Sequence, residues 1–85
     1  MTLKTHLVEH PNGTIAVADI EPDQILDRAV AARLRSRLSA ILGGMPALLR
    51  YKDGEDLYVL SGDAHLHRYG VDPIIDVLPS IEVNV

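Results

Sequence analysis

The sequence predicts an α+β fold, a two-layer sandwich with one long amphipathic helix packed on a small antiparallel or mixed sheet. Three observations carry this prediction. Leu26, Val30, Leu34, Leu38 and Ile41/Leu42 recur at spacings of three or four, which makes one apolar stripe on a helix. Gly43-Gly44 stops that helix, and Pro46 prevents its resumption. The next run, Ala47 to Gly62, reads as a β-hairpin around Asp53-Gly54-Glu55-Asp56. The predicted order is β-β-α-β-β-α-β, in a single domain of 85 residues.

The elements follow in chain order. Thr2 to Val8 alternates, with Leu3, Thr5 and Leu7 on one face, and is expected at a sheet edge. Pro11-Asn12-Gly13 is a turn signal, because Asn and Gly tolerate positive φ. Thr14 to Asp19 reads as a strand. Ile15 and Val17 point one way, and Ala16 and Ala18 point the other, small enough to lie beneath a helix. Pro22 suits the first helical position, where its missing N–H has no partner in any case. In the hairpin a four-residue loop pairs Tyr51 with Tyr58 and Leu49 with Leu60, gathering the apolar side chains on one face. Asp63 to Tyr69 is expected as a short helix with Asp63 as its cap, and Asp72-Pro73 as the start of another covering Ile74 to Leu78. Ser80 to Val85 closes as a strand with Ile81, Val83 and Val85 on one face. The shorter helices are expected on the same face as the long one. From Thr14 onward the order also matches a ferredoxin-like arrangement.

Composition bounds the function. Hydrophobic residues make up 47% of the chain, enough for a core, but Phe and Trp are absent, so Leu, Ile, Val and Ala must build it. The absence of Cys removes disulfides, thiolate metal sites and cysteine nucleophiles, and fits a reducing compartment. No signal-peptide pattern and no spanning apolar run is present, so a soluble cytoplasmic protein without membrane contact is expected. The net charge of −4 argues against non-specific nucleic-acid binding. The charge is segregated: Arg28 to Arg50 holds arginines and no acid, whereas acids dominate from Tyr51 onward. This layout fits two solvated faces, or self-association of a basic helix with an acidic region.

Two constellations are candidates for chemistry. Asp63-x-His65-x-His67 would place a carboxylate and two imidazoles on one face of an extended segment, in reach of one ion, with His6 or His10 as a fourth ligand. On a helix, residues two apart diverge by about 200° and the trio does not converge. The helical reading of this segment makes Asp63 a cap and the histidines surface groups, and no metal or cofactor is expected. Arg28, Arg33, Arg35 and Arg37 form the second set. Their guanidinium forks can grip phosphates or carboxylates, pair across a dimer interface, or simply solvate the helix. No serine has the neighbours of an activated nucleophile.

A longer pattern spans most of the chain. It runs Ile15-x-Val17-x-x-Ile20-x-Pro22, then Leu38-x-x-Ile41-x-x-Gly44, Pro46-Ala47-Leu48-Leu49-Arg50, Asp53-Gly54, Leu57-Tyr58-Val59-Leu60-Ser61-Gly62 and Ile81-x-Val83-x-Val85. In order and spacing this resembles the ParB/sulfiredoxin-like domain. That resemblance implies a nucleotide-phosphate site after the hairpin, at Gly62, Asp63, His65 and Arg68. The motif is degenerate here: His65 stands where an arginine belongs, Arg68 comes three residues later, and the sulfiredoxin cysteine is missing.

The leading expectation is a small non-enzymatic binding or regulatory module acting through protein–protein contacts, with a protein partner or as a homodimer. The alternatives are a degenerate nucleotide-phosphate-binding domain and a small metal- or His-dependent enzyme.

Overall fold

The computed structural model describes residues 1–62, 65–70 and 73–85. Strands β1 (Thr2–His10) and β2 (Gly13–Asp19) lead into helices α1 (Pro22–Leu26) and α2 (Arg28–Ile41). Strands β3 (Ala47–Asp53), β4 (Asp56–Leu60) and β5 (Leu66–Gly70) follow, then helix α3 (Pro73–Asp76) and strand β6 (Ser80–Asn84). The α+β class stands. The strands form one mixed sheet in the order β5-β4-β3-β2-β1-β6. Only β2 and β3 pair in parallel, as the α1–α2 crossover between them requires; the other pairs are antiparallel.

The hairpin adopts the predicted pairing, with Tyr51 opposite Tyr58 and Leu49 opposite Leu60, but Asp53 also pairs with Asp56, so the loop is the two residues Gly54-Glu55 rather than four. The two tyrosine rings stack at 4.8 Å. Gly54 turns the hairpin at φ 62°, a conformation that a side chain disfavours. Strand alternation gives the sheet two unlike faces. One carries Leu3, Ala16, Ala18, Ala47, Leu49, Leu60 and Val83, which form the core with Ile25, Ala31 and Leu38 of the helices. Ala16 and Ala18 are fully buried, and their small side chains let the helices lie close.

Other expectations are corrected. The long helix is two helices. Asp27 takes an extended ψ of 96°, and its carboxylate accepts the N–H groups of Ala29 and Val30 at 3.1 and 3.2 Å, capping a fresh start at Arg28. This break brings Ile25 rather than Leu26 into the core and leaves Leu26 exposed. Residues 66–70 form a strand rather than part of a helix, because Leu66 to Gly70 pair along the whole of β4; Asp63 lies outside the described residues. Strand β1 is interior, since β6 pairs along its outer side. Finally, α3 sits on the opposite face from α2, held by Arg50, which alternates with core-facing Leu49. The arrangement also differs from a ferredoxin-like one. A split β-α-β places a strand between its two parallel members, and here β2 and β3 are direct neighbours.

Candidate functional site

The second face of the sheet carries the most concentrated polar chemistry in the described residues. Lys4 and His6 reach it from β1, Asp19 from the end of β2, Arg50 and Lys52 from β3, and Asp76 from α3. The register explains the meeting: Asp19 is paired with Lys4 on one side and Arg50 on the other. Arg50 is 2% exposed, although it carries a charge that no protonation change removes. Its Nε donates to Asp19, and its Nη2 donates to Asp76 at 2.8 Å. Lys52 donates to the other Asp76 oxygen. Burial pulls the guanidinium pKa down, but the contacts with Asp19 and Asp76 outweigh it, and the net shift is upward. Lys52, opposed by burial and helped by Arg50, holds the Asp76 carboxyl below its ordinary value.

His6 is 1% exposed. Its Nδ1 stands 3.2 Å from the Leu78 carbonyl, which can only accept, so Nδ1 carries the hydrogen. Its Nε2 is 3.4 Å from Asp19 Oδ2. The set therefore works as a clasp. Three of its contacts, Arg50–Asp76, Lys52–Asp76 and His6–Leu78, tie the segment before β6 onto the sheet.

Beside the clasp is a cleft of about 300 Å³ lined by Lys4, Asp19, Ile20, Arg50, Tyr51, Lys52 and Asp76. It opens at the carboxyl ends of β2 and β3, the usual ligand side of parallel strands. Its basic groups suit an anion, while Asp19 and Asp76 are already engaged by cations. Among the described residues no serine or threonine lines it, and His6 is buried behind Asp19 with both nitrogens facing oxygens.

The residues singled out from sequence are placed as follows. Arg28, Arg33 and Arg37 are exposed on α2. Arg35 is half-buried and lies against Gly62: a Cβ built there would stand 3.7 Å from Arg35 Nη1. Arg68 is on the core side of β5 and donates to Asp56 at 2.7 Å, near the hairpin end and away from Gly62. Burial plays little part there; the Asp56 contact raises the Arg68 pKa. His65 and His67 have ring centroids 6.3 Å apart, and His67 Nε2 lies 3.2 Å from Ser61 Oγ. Asp63 is outside the described residues. Among those described, no group of three or more His, Cys, Asp or Glu is placed to hold a metal. His6 is committed to the clasp, and His10 borders a separate hollow beside Pro46.

The clasp escaped sequence reasoning. Its one local signal is Arg50, a charge inside an otherwise apolar strand run. The molecule also leaves apolar groups open, among them Leu26, Ile41, Val77 and, on the β1–β6 side, Leu7 and Ile81. No helix of the described residues is long and apolar enough to cross a membrane. No protein-family model, no curated protein and no solved structure matches this chain.

Proposed function

We propose that this protein is a small non-enzymatic binding module that acts through protein–protein contacts, and that it self-associates. The observation that carries the reading is the open edge of the sheet at β6, with exposed Ile81 and Leu7 beside it. An unpaired edge with apolar side chains is a template for another chain. The polar cluster supports the same reading by being engaged internally: its acids hold Arg50 and Lys52, and His6 Nδ1 donates to the Leu78 carbonyl. The exposed arginines of α2 offer a further polar surface to a partner.

Sedimentation velocity from micromolar to millimolar protein, at low and high salt, tests the reading. Concentration-dependent association is expected. It should persist in salt if apolar and backbone contacts drive it, and should weaken steeply if α2 arginines do. A monomer throughout refutes self-association.

One observation favours a second reading, the nucleotide-phosphate site implied by the ParB/sulfiredoxin-like resemblance. The motif lacks an arginine of its own, yet Arg35 brings a guanidinium beside Gly62 from α2. Its Nε is buried without a hydrogen-bond partner. Amide spectra at millimolar ATP or CTP, compared between the native chain and Arg35→Gln, test it. Unchanged native spectra dismiss it.

A further inference from the structure

The edge strand carries enough detail to specify how two copies meet. This inference rests on the self-association reading and deepens it. In the β1–β6 pair, Val85 N–H donates to the Met1 carbonyl, and the register places Leu3 opposite Val83 and Thr5 opposite Ile81. Antiparallel pairs alternate between hydrogen-bonded and non-hydrogen-bonded positions. The odd-numbered residues of β6 therefore direct their N–H and C=O groups inward to β1. Ser80, Glu82 and Asn84 direct theirs outward, and among the described residues no strand lies beyond them.

A second copy of the same edge is self-complementary across a two-fold axis. With the axis normal to the sheet, each face meets its like, which allows three central residues: Ile81, Glu82 or Val83. Centring on Glu82 sets two carboxylates directly opposite each other, a destabilising pair. Centring on Val83 covers a side chain that the monomer already buries. Centring on Ile81 covers the residue that is 45% exposed. It places Ser80 opposite the second copy's Glu82, twice, with four backbone hydrogen bonds. On the second face, Lys4 flanks Glu82 and His6 flanks Ser80, so no like charges adjoin. On the core side, Leu7, 37% exposed, lies diagonal to Ile81. The axis thus joins two Leu7–Ile81 strips into one.

We infer that two copies of this chain pair β6 to β6 in antiparallel, centred on Ile81, to make a continuous twelve-stranded sheet from two six-stranded ones. Ile81 faces its own copy at a non-hydrogen-bonded position, where Cα atoms lie about 4.5 Å apart, within disulfide reach.

The chain has no cysteine, so a single introduced one reports the register cleanly. Ile81→Cys is expected to cross-link to a dimer under mild oxidant much faster than Glu82→Cys, or than Glu55→Cys, an exposed turn position that measures random collision. In the native protein at dimer-forming concentration, amide exchange should slow at Ser80 and Glu82 and not at Asn84. Ile81→Lys should raise the dissociation constant at least about tenfold while leaving the fold intact, since the side chain is exposed. A native dimer protected at Glu82 and Asn84 but not Ser80, or one insensitive to Ile81→Lys, overturns this pairing and leaves self-association standing. A monomer at every concentration overturns both.

Discussion

The sharpest quantitative consequence of the clasp is an asymmetry between removing its buried charge and stranding it. Asp19→Ala takes away the partner of Arg50 Nε, in a side chain that is 2% exposed in the native protein and whose Nη1 already lacks a partner. Breaking a buried pair in this way costs about 3–5 kcal/mol, because the remaining ion keeps its desolvation without the compensating contact. Two features lower that figure here. Asp19 is 36% exposed, so solvent already screens part of the interaction, and Asp76 still accepts from Nη2 at 2.8 Å. The expected cost is about 2–3 kcal/mol. Arg50→Met removes the charge itself and keeps a long apolar stem in the same place. Asp19, 36% exposed, then turns to solvent, and Asp76 retains Lys52. Its expected cost is about 1 kcal/mol or less. A domain of this size has roughly 4–13 kcal/mol in total, so the Asp19 change is a large fraction of the whole. Urea unfolding of both variants, with matched m-values, measures the difference. If Arg50→Met proves the more damaging, the guanidinium contributes net stability, and the account of the clasp given above is wrong.

Two further outcomes follow from the same geometry. The Asp76 carboxyl is held below its ordinary value of 3.8 by Lys52 and Arg50, so in acid the unfolded chain binds its proton first; stability from this group is complete above that value and is lost as pH falls through the lower folded value. Acid unfolding followed by circular dichroism should show this loss, and Asp76→Asn should flatten it. Asp27→Ala removes the acceptor for two α2 amides and should cost about 1 kcal/mol in thermal unfolding, whereas a change that leaves the midpoint unmoved shows that the cap is dispensable.

Legibility in the sequence tracked how local each structure is. The Tyr51–Tyr58 register was readable because the turn signal and period-two alternation both lie within the hairpin, although the loop is two residues rather than the expected four. The alternation of Ala16 and Ala18 with Ile15 and Val17 marked the helix-facing side for the same reason. The break at Asp27 was hidden, since a continuous helix satisfies the same apolar spacing; only a carboxylate folding back on two amides distinguishes the cases. Strand β5 was hidden because its side chains, with Leu66 alone strongly apolar among Leu66 to Arg68, carry little strand pattern. Its strand state comes from pairing with β4, a non-local cause that overrides local signals. The clasp was the least readable of all. His6, Asp19, Arg50, Lys52 and Asp76 come from four elements, and no spacing along the chain relates them. They meet because β2 and β3 pair in parallel, and a parallel register follows from the crossover rather than from any turn.

The same crossover explains why the protein has surface to spare. Six strands at about 4.8 Å spacing span roughly 24 Å, whereas a helix with its side chains covers about 10–12 Å. The two helices of the β2–β3 crossover, α1 and α2, both lie over β3. Helix α1 reaches far enough for Gln24 to meet Met1, and Leu3 and Val83 at that end of the β1–β6 pair belong to the core. Farther along the same pair, Leu7 and Ile81 are exposed. On the second face, Asp76 of α3 pairs with Arg50 and Lys52, and His6 meets the Leu78 carbonyl two residues before β6 begins. The clasp therefore fixes the approach to the very strand whose outer edge is unfilled. A rigidly positioned edge loses less freedom when another chain pairs with it than a loose one would, so the clasp would assist the proposed pairing of β6 with a second copy.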